Sequence, residues 1–254
     1  MVALMYHDVV APGRDDHSGF PGVDCARYKV THDAFEAHLA ALDDSPEVII
    51  TFDDGGRSAM TAADALERRG RRGWFFITCN YIGATGFVDR VDIRELVERG
   101  HVVGSHSCSH PLRMGHCSRA QLLDEWTRSR ATLESIVGEE IRVGSVPGGD
   151  FARPVALTAA DAGFRMLFTS EPTRAERTVA GLRIAGRYTI QRSTSAGTIG
   201  ALAAGAWIPH ARQAAVWTAK KFAKRIGGSG YLKARKLLLG HGDDVRWGMR
   251  IADG

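Results

Sequence analysis

Short apolar runs alternate with segments of helical periodicity along most of the chain. The apolar runs are rich in β-branched and aromatic residues, and they predict buried strands at 2–6, 47–52, 73–78, 101–105, 142–146 and 164–168, with more strand structure near 183–190. Apolar residues spaced three or four apart predict helices at 32–42, 58–70, 92–100, 119–137 and 153–162. Residues 9–30 contain proline and glycine, and they predict a long loop.

This order of elements indicates an α/β fold. Strands that alternate with helices pair in parallel, either in a barrel or in an open doubly wound sheet. From residue 206 onward the pattern changes to helical, basic segments separated by the sequence GGSG. We therefore predict one α/β domain over residues 1–205 and a basic helical C-terminal extension over residues 206–254.

The composition is that of an ordinary globular protein. The 254 residues carry a formal net charge of +4, an excess too small to favour a nucleic-acid partner. The four cysteines are too few and too scattered for a disulfide framework. The first residues, MVALMYHDVV, lack the basic and long apolar regions of a signal peptide. A cytoplasmic location is therefore expected.

The C-terminal extension has two open interpretations. Its helix places Ala215, Ala219, Phe222 and Ile226 on one face, and basic residues follow without an acid between them, at Lys220, Lys221, Lys224, Arg225, Lys233, Arg235 and Lys236. One interpretation is a packed helix with a solvated side. The other is an interfacial helix that contacts a membrane surface, with the protein peripheral to the inner membrane.

Two short motifs follow predicted strands. Asp53 and Asp54 come directly after the strand at 47–52, and His106 and His110 come after the strand at 101–105. Each pair alone is weak evidence, because two aspartates before glycines most often form a turn. The carboxyl ends of parallel strands meet at one rim of the sheet, however, so the two pairs are expected together. A carboxylate and two imidazoles predict a divalent metal site, while the second carboxylate is free to take a proton.

The motifs TFDDG (51–55) and HSCSH (106–110) resemble the first two motifs of the polysaccharide deacetylases, also called the NodB-homology domain or carbohydrate esterase family 4. The resemblance covers residues 2–190 and implies a distorted (β/α) barrel that removes an N-acyl group, typically acetyl, from an amino sugar in a glycan or lipid-linked glycan. It implies that Asp53 is the general base and that Asp54, His106 and His110 bind the metal. Zn²⁺ is the expected ion, with Co²⁺, Ni²⁺ or Mn²⁺ as alternatives.

The segment VPGGDF (146–151) resembles the third motif of that family. The resemblance places Pro147, Gly148 and Gly149 against the substrate. Family members usually carry an arginine two residues before the proline, where this chain has Ser145. Arg187 and Arg192 are the candidates to replace that arginine beside Asp53.

The general acid has two candidates. The opening LMYHDVV is similar to the start of circularly permuted family members, in which the acid histidine follows the first strand, and this implies His7. Leu238 and His241 fit the late LxxH motif in form, but they end a basic helical stretch.

Three other functions stay open at this point. Relatives of the same fold hydrolyse other linear amides or remove formyl groups, so a deformylase is one alternative. A non-catalytic carbohydrate-binding relative is a second, favoured by Ser145. The third is a structural zinc site at Cys108, His116 and Cys117, although no C-x-x-C pair supports it.

Overall fold

The computed structural model describes residues 1–219. Their strands are β1 (Ala3–Tyr6), β2 (Asp8–Val10), β3 (Lys29–Thr31), β4 (Ile49–Phe52), β5 (Gly73–Ile77), β6 (Val102–Ser105), β7 (Val143–Ser145), β8 (Met166–Phe168), β9 (Glu176–Val179), β10 (Leu182–Ala185) and β11 (Tyr188–Thr189).

The helices lie between these strands. They are α1 (Val23–Ala26), α2 (His32–Ala40), α3 (Ala59–Glu67), α4 (Arg90–Glu98), α5 (Arg119–Val137), α6 (Arg153–Asp161) and α7 (Ala196–Ala203), and residues 207–219 are also helical. Local sequence explains where they begin and end. Ser118 and Gln121 form the predicted capping box of α5, and Gly138 ends that helix with φ of 78°.

Nine strands form one sheet in the order β11-β1-β4-β5-β6-β7-β8-β10-β9. All neighbours pair in parallel except β9, which is antiparallel to β10. Tyr6 is level with Phe52, and Ile77 is level with Ser105. The residues that follow β1, β4 and β6 therefore emerge at the same rim, as the motif spacing predicted.

The sheet curls strongly, and polar contacts across its rim show how far. Asp53 follows β4 and Ser145 ends β7, three strands further along the sheet. At the usual strand spacing a flat sheet would separate them by roughly 14 Å. Instead Ser145 Oγ donates to Asp53 Oδ2 over 3.2 Å. The sheet is a distorted, partly open barrel whose rim closes around these two side chains.

The strand structure predicted near 183–190 is present in the fold. It is two strands, β10 and β11, which lie near opposite ends of the sheet: β10 pairs with β8, and β11 pairs with β1. The chain crosses the barrel between them at Gly186 and Arg187. Leu182, Ile184, Ala185 and Tyr188 of these strands are buried, and Gly186 and Arg187 alone separate the two strands, so the residue pattern does not mark the crossing.

The long loop predicted at 9–30 needs correction. Its two ends pair as the parallel strands β2 and β3, and α1 lies between them. Val9 and Val30 face each other in this pair and are buried, which explains why the ends are ordered together.

The start of the predicted C-terminal extension contacts the α/β domain. Gln213 exchanges two hydrogen bonds with the backbone of Thr189, at 3.1 and 3.3 Å, and Tyr188 Oη lies 2.8 Å from His210 Nδ1. The boundary at residue 205 stays a prediction, and the basic residues from Lys220 onward lie outside the described residues. Within residues 1–219, no helix combines the length and apolar character needed to cross a membrane.

Candidate active site

Asp54, His106 and His110 meet at the rim of the barrel. Asp54 Oδ1 lies 3.4 Å from His106 Nε2 and 3.3 Å from His110 Nε2. One ligand atom from each residue lies within 4.8 Å of the other two, and within residues 1–219 this is the single group of three or more such residues with that property. The structure therefore brings together the three residues that the sequence predicted as metal ligands.

The backbone at this site is strained in a way that aims the side chains. Three residues with side chains adopt left-handed conformations: Asp54 (φ 76°), Ser107 (φ 63°) and His110 (φ 57°). Such conformations cost about 1–3 kcal/mol each and persist only where surrounding contacts fix them. They turn the chain sharply after β4 and β6, so that Asp54 and His110 point toward each other.

The hydrogen bonds of these three residues fit a bound cation. Ser145 carbonyl oxygen accepts from His106 Nδ1 over 3.1 Å, which leaves the lone pair of Nε2 directed at Asp54. Asp54 Oδ1 and His110 Nδ1 are buried without a hydrogen-bond partner. A buried carboxylate oxygen that lies beside two imidazole nitrogens and accepts no hydrogen bond has lone pairs left for a ligand. A divalent metal would bind to such a set of oxygen and nitrogen atoms.

The charge state of Asp54 suits this role. Burial opposes its ionisation, but contacts with His106 and His110, together with the charges of His110 and His7, hold its pKa well below its usual range. Asp54 is therefore an anion throughout the neutral pH range.

Asp53 faces a different environment from its neighbour. Its carboxylate is buried and makes two parallel bonds with Arg187, from Nη1 to Oδ1 at 2.7 Å and from Nη2 to Oδ2 at 2.8 Å. Oδ2 also lies 3.9 Å from His106 Nε2. Burial raises the pKa of Asp53, but the charge and hydrogen bonds of Arg187 and the charges of His106 and His7 outweigh that effect, so the pKa is lowered. Asp53 is an anion beside the metal-ligand group without belonging to it.

Arg187 is fully buried and uses all of its donors. Besides Asp53, it donates to the carbonyl oxygen of Thr169, to Thr51 Oγ1 and to Ser145 Oγ, at 3.2, 2.9 and 2.6 Å. The rings of Phe76 and Phe168 lie 5.5 and 5.6 Å from its guanidinium carbon. Of the two candidates for the missing motif arginine, Arg187 is the one that binds Asp53. Arg192 instead pairs with Asp15 and the carbonyl oxygen of Lys29.

Ser145 stands at the position where the motif resemblance implies an arginine, and its small side chain has a part in this arrangement. Its hydroxyl accepts from Arg187 and donates to Asp53. The serine therefore leaves room for a guanidinium that arrives from the other side of the barrel, after β10.

His7 emerges next to Asp53, because Tyr6 is level with Phe52 and its carbonyl oxygen accepts from the Asp53 backbone over 3.0 Å. The ring is half-buried, and Nδ1 is buried without a hydrogen-bond partner. The Tyr28 ring lies 4.9 Å away. The geometry is compatible with the role predicted for His7, which stays a prediction. The alternative, His241, lies outside the described residues with Leu238.

The segment 11–28 forms one wall of the site. Tyr28 packs on His7, and Phe20 packs on His110 with ring centroids 5.2 Å apart. Lys29 fixes this wall: its buried ammonium donates to the carbonyl oxygens of Asp15, Ser18 and Phe20 at 2.6, 2.5 and 2.7 Å. The three donors of one ammonium are thus all used on one segment.

A buried carboxylate next to His7 joins this wall to the DDGG motif. Asp8 accepts from Ser18 Oγ at 2.5 Å and from Ser58 Oγ at 2.8 Å, and its Oδ2 lies 4.0 Å from Lys29 Nζ. A Cβ atom at position 56 would collide with Asp8, which explains the second glycine of the motif.

Pro147, Gly148 and Gly149 form a single turn after β7. Pro147 is buried, Gly148 is exposed, and both glycines have positive φ, at 59° and 64°. Their predicted contact with substrate stays a prediction, and of the three Gly148 is the exposed residue.

The alternative of a structural zinc site at Cys108, His116 and Cys117 is wrong. These residues do not form a ligand group. Cys108 Sγ contacts Asn80 Oδ1 at 3.3 Å, His116 contacts Arg113 at 2.6 Å, and Cys117 Sγ contacts the carbonyl oxygen of Arg113 at 3.9 Å. All four cysteines of the chain are free thiols in the structure.

Comparison with known proteins gives a consistent result. The family model described as polysaccharide deacetylase matches residues 42–167. A chitooligosaccharide deacetylase from Bradyrhizobium sp. (strain ANU 289) is 30% identical over 130 residues, which are 50% of this chain and 57% of that protein. The chain spans about half the length of the curated relatives it matches.

Solved structures share the fold over a longer part of the chain. A polysaccharide deacetylase from Bacillus cereus superposes with a TM-score of 0.66 at 19% identity, over 77% of this chain and 66% of that one. IcaB from Ammonifex degensii superposes with a TM-score of 0.62 at 22% identity, over 80% of this chain and 95% of that one. The predicted α/β fold, a distorted (β/α) barrel of the polysaccharide deacetylase type, is confirmed.

The matched range contains Asp53, Asp54, His106 and His110, whereas His7 and Arg187 lie on either side of it. The two motifs, the curled parallel sheet and the convergence of the motif residues at its rim lead to the same conclusion. Residues 42–167 of this chain belong to the polysaccharide deacetylase family.

Proposed function

We propose that this protein is a metal-dependent hydrolase that removes an N-acyl group, typically acetyl, from an amino sugar in a glycan. The single observation that carries the proposal is the convergence of Asp54, His106 and His110 beside Asp53, with Arg187 holding the Asp53 carboxylate. A metal-ligand group beside an ionised carboxylate that is not a ligand is the equipment needed to hydrolyse an amide with water.

Asp54, His106 and His110 would hold the metal, with Zn²⁺ the ion we expect from an O,N,N ligand set. A divalent metal at this site supplies Lewis acidity toward the acyl oxygen and lowers the pKa of water.

We infer that Asp53 accepts the proton of the attacking water. Arg187 keeps the carboxylate ionised and fixes both of its oxygens, of which Oδ2 is the one nearer His106. As water adds to the acyl carbon, Asp53 takes one proton. The C–N bond then breaks, and His7 gives a proton to the departing nitrogen. The products are a carboxylic acid, such as acetate, and a free amine on the sugar.

Acetate release from a panel of substrates tests this proposal. The purified full chain is incubated with N-acetylglucosamine oligomers and with their N-formyl counterparts, and acetate or formate is measured for the wild type and for Asp53→Asn. We expect release by the wild type and a loss of about 10²–10⁴-fold in the variant. Turnover of every substrate at the same rate by both proteins would refute the role of Asp53.

Two further proposals concern where the enzyme acts. We propose a cytoplasmic location, supported by the four free thiols. We also propose that the basic segment after Ala219 brings the enzyme to a membrane surface that carries a lipid-linked glycan. Co-sedimentation of the full chain with anionic vesicles, compared with a chain that ends at Ala219, tests the second proposal.

A further inference from the structure

Glu125, on α5, is bound to the turn that carries His110. Its Oε2 accepts from two successive backbone N–H groups, those of Cys108 and Ser109, both over 2.8 Å. Its Oε1 accepts from Ser109 Oγ over 2.6 Å. The half-buried carboxylate of Glu125 thus binds the middle of the HSCSH segment, although Glu125 is not one of the three candidate metal ligands.

This turn needs an external contact to keep its shape. Ser107 and His110 are both in the left-handed region, which is rarely adopted by residues with a side chain. Inside the turn, Ser107 Oγ accepts from the His110 backbone over 3.1 Å. The N–H groups of Cys108 and Ser109 both donate to Glu125, which lies outside the turn on α5. Hydrogen bonds to a carboxylate are about twice as strong as those between neutral groups.

We propose that Glu125 is a positioning residue for the metal centre: it holds the 107–110 turn so that Nε2 of His110 faces Asp54. This inference rests on the proposed function, because it assumes that these residues bind a metal. Glu125 acts through the backbone and touches neither the metal ligands' side chains nor the reacting atoms.

The test is the Zn²⁺ affinity of the metal-free full chain, measured by competition with a zinc-binding dye. Glu125→Ala removes all three contacts, whereas Glu125→Gln keeps a neutral oxygen that can accept from both N–H groups. Both variants lose the same charge, so a difference between them reports on the geometry of the turn. Asp124→Asn is the matched control, because it removes a carboxylate from the adjacent position, where Asp124 forms an exposed pair with Arg128.

We expect the wild type and Asp124→Asn to bind one Zn²⁺ per chain with equal affinity. Loss of a residue that orients a metal ligand typically weakens binding by about 10–100-fold, and we expect this for Glu125→Ala, with Glu125→Gln between it and the wild type. If Glu125→Ala does not fold, Glu125→Gln must still bind more weakly than Asp124→Asn. The absorption spectrum of the Co²⁺ form provides a second measurement, which should shift in the Glu125 variants alone.

The outcomes separate the two hypotheses. Wild-type chain that binds no Zn²⁺ would refute the proposed function itself. Wild-type chain that binds one Zn²⁺, together with Glu125 variants that bind it as tightly as Asp124→Asn, would overturn the role of Glu125 and leave the proposed function in place.

Discussion

Arg187 grips Asp53 by two parallel hydrogen bonds of 2.7 and 2.8 Å, although the two residues are 134 positions apart in the chain. Neither side chain is exposed to solvent by more than 3%. A buried ion pair of this kind is costly to break from either side, because the partner that remains is an uncompensated buried charge. Removing one partner of this pair should therefore destabilise the barrel as well as disturb the base that we propose.

Arg187→Met should impair both activity and stability. We expect kcat to fall by at least about 100-fold, since a base displaced by about 1 Å loses that much. The free energy of unfolding should fall by about 3–5 kcal/mol. Arg187→Lys should lie between, because an ammonium cannot make the two parallel bonds.

Arg192→Met is the control for Arg187, because Arg192 forms a partly exposed pair with Asp15 worth about 0–1 kcal/mol. Steady-state kinetics and urea unfolding provide the measurements. In the double variant Asp53→Asn/Arg187→Met, the loss of stability should be smaller than the sum of the two single losses. Additive losses would show that the two residues do not act as a pair.

His7→Gln tests proton donation to the departing nitrogen. We expect kcat on an N-acetyl amino sugar to fall by about 10²–10⁴-fold. The loss should be much smaller with 4-nitrophenyl acetate, whose departing oxygen needs no proton. His17→Gln is the control, because His17 is exposed. An equal loss on both substrates would mean that His7 has another role, such as substrate contact.

Arginine should not be able to replace Lys29 without a loss of stability. It is the only lysine in residues 1–219, which otherwise use arginine, and three carbonyl oxygens surround its ammonium. A planar guanidinium cannot fit that pocket. We expect Lys29→Met to lose about 3–5 kcal/mol of unfolding free energy, because Asp8 is left buried without its cation. We expect Lys29→Arg to be destabilised as well, because the guanidinium does not match the three carbonyl oxygens.

Arg57→Met, at an exposed position, is the control for Lys29, and urea denaturation is the measurement. Wild-type stability of Lys29→Arg would contradict this interpretation of the pocket.

His101 should make the fold sensitive to mild acid. Its Nδ1 accepts from the Gly73 backbone over 3.0 Å, and its Nε2 lies 3.0 Å from Glu67 Oε1, so the ring is neutral with its proton on Nε2. Burial lowers the pKa of His101, and the opposing effect of Glu67 does not cancel it. The unfolded chain then binds the extra proton more readily, so stability is lost as pH falls from about 6.5 through the folded-state pKa.

Unfolding free energies at pH 7.5 and 5.5 check this expectation. The decrease between the two pH values should be smaller in His101→Gln than in the wild type. His32→Gln, which changes an exposed histidine, should behave like the wild type. His38 is buried as well, and burial lowers its pKa, so part of the pH dependence should remain in His101→Gln. The same decrease in all three proteins would contradict the assignment to His101.

The sequence predicted the positions of those site residues that directly follow a strand in the chain. Asp53, Asp54, His106 and His110 each follow a strand within a few residues, so strand order alone placed them at one rim. Arg187 was foreseen only as one of two candidates, because its approach to Asp53 depends on how far the sheet curls. The pairing of β10 and β11 with different strands could not be predicted for the same reason, because the residue pattern near 183–190 does not show that the chain changes sides.

Glu125 and Lys29 had weaker signals in the sequence. Glu125 is one of several charged residues on α5, and its contacts depend on the turn packed beside it. The isolation of Lys29 among arginines was a signal in the composition that pattern analysis of helices and strands does not use.

Reconstitution with metal is the most direct measurement of the central claim, that Asp54, His106 and His110 bind one divalent cation beside Asp53. The full chain is stripped with a chelator, titrated with Zn²⁺, and assayed for acetate release at each step, with His110→Ala in parallel. We expect activity to vanish on stripping, to return in proportion to bound Zn²⁺ up to one ion per chain, and to stay absent in His110→Ala. Full activity in the stripped protein would contradict the claim.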